Sequence, residues 1–139
     1  MTYTMGNPRK YSHEPVFVFE IGEEFLFRHY FQGRDVFKRM QRYYNQRKYR
    51  FEVPPDQFDE VKSFLDDYGY TLVIVEETDT FVVVVKKYTT YPGSIFKNSV
   101  IQRSQGDYNC FLMKDKSAVE QATHNNGYRL TDTSLDNPF

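Results

Sequence analysis

The chain has 139 residues, a net charge of −1 and one cysteine, Cys110, which gives length enough for a domain with its own core and no means of closing an internal disulfide or a cysteine-based zinc cluster. With 13 Phe, 12 Tyr and no Trp, aromatic rings are the main core material. The longest apolar runs, such as FVVVV at 81–85, fall far short of the ~20 residues of a membrane span, and Met1 leads into no basic and then apolar leader, so the expectation is a cytoplasmic protein without membrane contact.

In chain order, residues 1–13, MTYTMGNPRKYSH, are polar and without period and read as a flexible N-terminal arm. VFVFEI, Gly22-Glu23 and EFLFRHYF read as two strands about a tight turn, with Gly supplying the positive φ the turn needs and Gly33 breaking the second strand. A helix over about 34–45 follows. At about 100° per residue Val36, Phe37, Met40, Tyr43 and Tyr44 share one face, while Arg34, Lys38 and Arg42 stack on the other. KYRFEV reads as a strand stopped by Pro54-Pro55, and Pro55 suits the first position of the next helix. Asp56, Asp59 and Glu60 mark that helix's start, Phe58, Val61, Phe64, Leu65 and Tyr68 its buried stripe, and Gly69 its end.

TLVIVEE and FVVVVKKY, separated by Thr78-Asp79-Thr80, read as a hairpin over 70–88 whose unbroken β-branched runs suit strands covered on both faces at a sheet's centre. After Tyr91-Pro92-Gly93, SIFKNSVIQRS fits a short helix or a strand. QGDYN reads as a loop, CFLM as a short buried strand, and KDKSAVEQATHNNG as a helix capped by Asp115 or by the Ser117 and Glu120 box. YRL adds an edge strand, and TDTSLDNPF ends in a loose C-terminal tail over 133–139. The expected fold is one α+β domain over 14–132, a mainly antiparallel sheet of five to seven strands with two or three helices packed on it.

The succession RYYNQRKYRFEVPPDQFDEVKSFLDDYGY, NSVIQ, NCFLMKDKSAVEQA and RLTDT resembles a family of small haloarchaeal proteins with no assigned activity, over roughly 15–135. The resemblance implies a cytoplasmic archaeal protein and names no catalytic residue. The chain departs from the acidic halophilic surface, since 18 basic residues nearly balance 19 acidic ones.

Charge is distributed unevenly. From Arg28 to Arg50 there are eight basic residues and one acidic, Asp35, a local charge of +7 that leaves −8 to the rest. Lys and Arg hold phosphate backbones and exposed rings stack on single-stranded bases, so a cationic helix face interleaved with Tyr and Phe has what nucleic-acid contact needs. The candidate binding residues are Arg28, His29, Tyr30, Arg34, Lys38, Arg39, Arg42, Arg47, Lys48 and Arg50, with Tyr49 extending the platform. The same pattern fits a plainer arrangement in which the rings are core and the Arg row is solvated or paired with the acidic helix 56–67. It also fits an acidic protein partner or a homodimer. The strands lack the glycine-aromatic pattern of the common RNA-recognition sheet.

Other chemistry has weaker support. His13, His29 and His124 lie in three elements without HxxxH or HxH spacing, so no metal site is assigned. Cys110 heads an apolar strand, as a small buried hydrophobe does, and no nucleophile elbow or phosphate-binding glycine loop is present. Asp66-Asp67, Glu76-Glu77 and Glu23-Glu24 sit where solvated acids collect. No catalytic residue is assigned and no cofactor is expected, so the reading is a binding module and leans away from an enzyme. A small ligand, if any, would sit near Asp107 and Lys114, against the start of the helix at 116–126.

Overall fold

Strict alternation governs the start of the chain. In β1, Glu14–Ile21, Val16 and Val18 enter one core while Phe17, Phe19 and Ile21 enter another, because successive strand side chains point to opposite faces. The computed structural model describes residues 13–139, so the arm expected at the N-terminus lies, His13 apart, outside the described residues. Gly22, at φ 65°, turns the chain into β2, Glu24–Phe27. Pairing ends there, earlier than the sequence pattern suggests. His29 to Gln32 form an irregular connection, fixed where the Gln32 N–H donates to Tyr70 Oη at 3.0 Å.

Next come α1, Arg34–Met40, a 3-10 turn at Gln41–Tyr43, β3, Tyr44–Asn45, β4, Arg50–Val53, α2, Pro55–Asp67, and β5, Tyr70–Ile74. The helix expected over 34–45 stops at Met40, because Tyr44 and Asn45 leave helical geometry to pair with Phe51 and Arg50. The first sheet has the order β3-β4-β2-β1-β5 and is antiparallel except where β1 and β5 run parallel. A second, antiparallel sheet, β7-β8-β6-β9, is built from β6, Val82–Lys86, β7, Ser99–Gln105, β8, Tyr108–Met113, and β9, Tyr128–Arg129. Its helices are α3, Gly93–Lys97, and α4, Lys116–Thr123. The ambiguous SIFKNSVIQRS is thus both things in turn, the end of α3 and the start of β7.

Three cores separate four layers. Val36, Met40, Phe58, Val61 and Leu65 pack α1 and α2 on one face of the first sheet. Phe19 and Leu26 meet Val82, Val84, Cys110 and Leu112 between the sheets. Ile95, Ala118, Val119 and Ala122 cover the far face of the second sheet, against Val83, Val85, Phe111 and Met113. The unbroken apolar runs of β6 and β8 are therefore strands covered on both faces. Among the described residues no helix is long and apolar enough to cross a membrane.

Three expectations are corrected. The single sheet is two sheets, with nine strands and four α-helices among the described residues. The hairpin over 70–88 does not form: β5 is an edge strand of the first sheet and β6 lies inside the second. The connection contains no Gly or Asn, the residues that most readily take the positive φ of a hairpin turn. Instead a 3-10 turn at Asp79–Phe81 crosses between sheets, and Phe81 lodges 5.4 Å from Phe17 and 5.5 Å from Phe19, ring to ring. Third, residues 133–139 are tied down. Leu135 and Phe139 pack on the inter-sheet core, and Asn137 Nδ2 donates to Thr78 Oγ1 at 2.7 Å.

Candidate functional site

The basic segment folds into two unlike places. On α1, Arg34 and Lys38 are exposed, and Arg42 follows in the 3-10 turn rather than on the helix. Val36 and Met40 are buried, and Tyr43 and Tyr44 rest on the first core, so most rings of this stretch are structural. Phe37 is not. It is 52% exposed, against the expectation that it faces inward. The acidic helix α2 does not neutralise the row, for Arg34, Lys38, Arg39 and Arg42 make no ion pair among the described residues. Arg39 instead lays its guanidinium 4.5 Å from the Phe64 ring centre, and a groove of about 280 Å³ between α1 and α2 is lined by Lys38, Arg39, Arg42, Tyr43, Glu60 and Phe64.

The second place is the joint between the two sheets. Asn45 Oδ1 accepts from the backbone N–H groups of Arg47 and Lys48 at 3.0 and 3.1 Å, shaping the β3–β4 turn and holding both side chains outward. Arg50 enters the molecule. It is only 7% exposed, its Nε donates to Glu52 Oε2 at 2.8 Å and its Nη1 to the Val100 carbonyl at 3.2 Å. Arg28 crosses in the same direction, its Nη1 donating to the carbonyls of Phe96 at 3.1 Å and Ser99 at 2.8 Å. Burial pushes the Arg28 guanidinium below its ordinary value, with Tyr44 and Tyr49 acting the other way. Arg28, Arg47, Lys48 and Arg50 together line a cleft of about 350 Å³ with Phe96, Ser99, Ile101 and Gln102 from α3 and β7.

These places adjoin. A shallow depression beside the β3–β4 turn is lined by Arg42 and Arg47 together with Glu24 and Glu52, and it shares Arg42 with the groove and Arg47 with the cleft. Two predicted residues leave this surface. His29 is turned to Glu14, its Nε2 meeting Glu14 Oε2, among the rings of Phe31 and Tyr70. Burial holds its imidazole below the ordinary value, more strongly than Glu14 raises it. Arg50 is a cleft wall bonded within the fold rather than a surface cation. Tyr30 stays exposed, at 81%.

Other sequence candidates resolve simply. Asp115 Oδ1 accepts from Ala118 N at 2.7 Å, so the start of α4 already carries a carboxylate cap of its own. The expected loop beside it is a tight β7–β8 turn through Gly106, at φ 57°. Cys110 is buried between the sheets, where burial pushes its thiol up, away from the thiolate form that nucleophilic attack needs. His13 Nδ1 contacts Thr71 Oγ1 at 2.9 Å and Asp66 Oδ1 at 3.1 Å. Among the described residues no three of His, Cys, Asp and Glu gather as a metal site would require.

Sequence reasoning missed Phe96, Ser99 and Gln102. They stand some fifty or more positions from the basic segment, and nothing in local spacing signals that β7 lies beside Arg28 and Arg50. Comparison of the chain with protein-family models, curated proteins and solved structures finds no match, so the site is read from its geometry alone.

Proposed function

We propose that the protein is a non-enzymatic binding module that holds single-stranded nucleic acid along the strip from Arg34 to Lys48. One observation carries this reading: Arg34, Lys38, Arg42, Arg47 and Lys48 are all exposed and have no carboxylate partner among the described residues. Cations kept unpaired in a chain with as many acids as bases are available to an outside polyanion. Phe37 and Tyr49, next in sequence to Lys38 and Lys48, supply exposed rings, and a base stacked on such a ring gains about 1–3 kcal/mol.

Fluorescence anisotropy with a labelled strand of about ten nucleotides tests it. Affinity should fall with salt on a log–log slope of about −3, and R34E/K38E/R42E should weaken binding by at least about tenfold. A flat salt response, or full affinity in that variant, overturns the reading.

A further inference from the structure

The cleft between the sheets differs from the rest of the strip because its cations converge. Arg28 and Arg50 both leave the first sheet, reach across the joint and bond to backbone carbonyls of α3 and β7. Each guanidinium is thereby fixed in orientation, while Nε and Nη2 of Arg28 and Nη2 of Arg50 have no partner among the described residues. A planar fork held from behind is the arrangement that binds phosphate oxygens in pairs. Arg47 and Lys48 add two more positive charges at the same cleft, and no acidic residue lines it. Glu52 is the one carboxylate paired with any of the four, and it is shared between Arg50 Nε and Asn45 Nδ2, the latter at 3.1 Å. Arg28 is partly buried and has no carboxylate partner among the described residues. Desolvating a cation without a counter-ion is costly, and an anion entering from outside recovers that cost.

The mouth of the cleft carries two rings. Tyr49, 48% exposed, and Phe96, 40% exposed, meet edge to face at 6.4 Å between centroids. Tyr49 is held at φ 56°, a left-handed conformation uncommon for a bulky residue, and the Arg28 guanidinium lies 5.8 Å from its ring centre. An uncommon backbone conformation that keeps an aromatic half in water points to a use for the ring.

We infer that the cleft is a receptor for a phosphate monoester attached to a nucleobase, the phosphate held by Arg28, Arg50, Arg47 and Lys48 and the base laid against Phe96 or Tyr49. A monoester presents three acceptor oxygens and about −1.5 to −2 charges at neutral pH, which matches convergent guanidiniums. A phosphodiester within a strand presents fewer free oxygens and one charge. The cleft would therefore select a 5′-phosphorylated end, or a free mononucleotide, over the interior of a chain. The inference rests on the binding reading above only for the strand that follows the phosphate.

The test uses the full chain, with adenosine 5′-monophosphate, adenosine and inorganic phosphate as calorimetric probes, and a strand labelled at its 3′ end bearing either a 5′-phosphate or a 5′-hydroxyl. Adenosine 5′-monophosphate should bind at least about tenfold more tightly than adenosine, and the 5′-phosphorylated strand should exceed its hydroxyl twin by a similar factor. Gln102→Glu is the decisive variant. Its side chain is exposed, makes no hydrogen bond among the described residues and lines the cleft, so the change adds a carboxylate there without removing a packing contact. It should erase both preferences while leaving the thermal midpoint unchanged. Equal affinity for monophosphate and nucleoside, or a preference that survives Gln102→Glu, overturns the inference. Inorganic phosphate competing as well as the nucleotide overturns the role of the rings. A preference in the mononucleotide arm without one in the strand arm identifies the free nucleotide as the source. Salt-sensitive strand binding with neither an end preference nor a preference for the monophosphate over adenosine removes the cleft and keeps the strip, whereas nucleotide binding without strand binding removes the strip and keeps the cleft.

Discussion

The outer face of α1 and the cleft between the sheets are both rich in Arg, yet the fold treats the two sets of side chains in opposite ways. Arg34, Lys38 and Arg42 stand in water without an ion pair among the described residues, whereas Arg28 and Arg50 are threaded through the joint and tie the end of β2 and the start of β4 to α3 and β7. A cation in water contributes little to stability and keeps its whole charge for a partner. A cation bonded to backbone carbonyls at a sheet–sheet joint is part of the fold before it is part of any site. Basic composition alone therefore misjudges both, crediting Arg50 with exposure it does not have and leaving unseen that Arg28 is already oriented.

The largest expected effect breaks the comparison at Arg50. Arg50→Ala leaves the half-buried Glu52 without its cation and takes the guanidinium bond from the Val100 carbonyl, and it should cost about 3 kcal/mol in chemical denaturation. Adding Glu52→Leu should recover a large part of that loss, because most of the penalty is the stranded carboxylate. If Arg50→Ala melts like the parent, Arg50 belongs with the surface row after all.

How much of this was readable follows the same division. Patterns set by neighbours in sequence came through: the stripe of α2 with Pro55 at its first position, the Asp115 cap of α4, the turn at Gly22, and the two-sided burial of FVVVV and CFLM. Patterns set by partners far along the chain did not. The β-branched run of β5 looks like that of β6, but Val73 and Ile74 remain exposed at a sheet edge, because β1, more than fifty positions earlier, is its pairing partner. Likewise, Arg28 finds Phe96 and Ser99 across the joint. Periodicity says which face of an element is apolar, and it does not say which other element covers that face. The site was legible as a charge imbalance and illegible as a cleft for this reason.

Acidification sharpens the comparison, since the strip is built from Arg and Lys while His29 lies outside it, turned to Glu14. Its imidazole is flanked by Glu14 and more distantly by Asp115 and Lys114, and burial outweighs them to favour the neutral form. The unfolded chain then binds more protons than the folded one near its ordinary value of 6.5, so the stabilisation is complete above that pH and is lost as pH falls through the lower folded value. Denaturation midpoints between about pH 5 and 7.5 should decline more steeply on the acid side for the parent than for His29→Gln. Strand affinity normalised to the folded fraction should not follow that decline. A binding curve that titrates with His29 would return this residue to the binding surface.

The smallest expected effect is on the row itself. R34E/K38E/R42E removes three cations, yet no ion pair, cap or buried contact is lost among the described residues, and each side chain points to solvent. Glu at position 34 gains slightly from the helix N-terminus and Glu at 38 loses slightly near the C-terminus, a few tenths of a kcal/mol each. Arg42 gives up only a guanidinium 5.3 Å from the ring centre of its neighbour Tyr43. The unfolding free energy should thus shift by no more than about 0.5 kcal/mol, which guanidinium denaturation resolves. A loss near that of Arg50→Ala would mean the row does hold the fold through some contact made in solution, and cations already engaged in that way could not be the free surface on which strand binding depends.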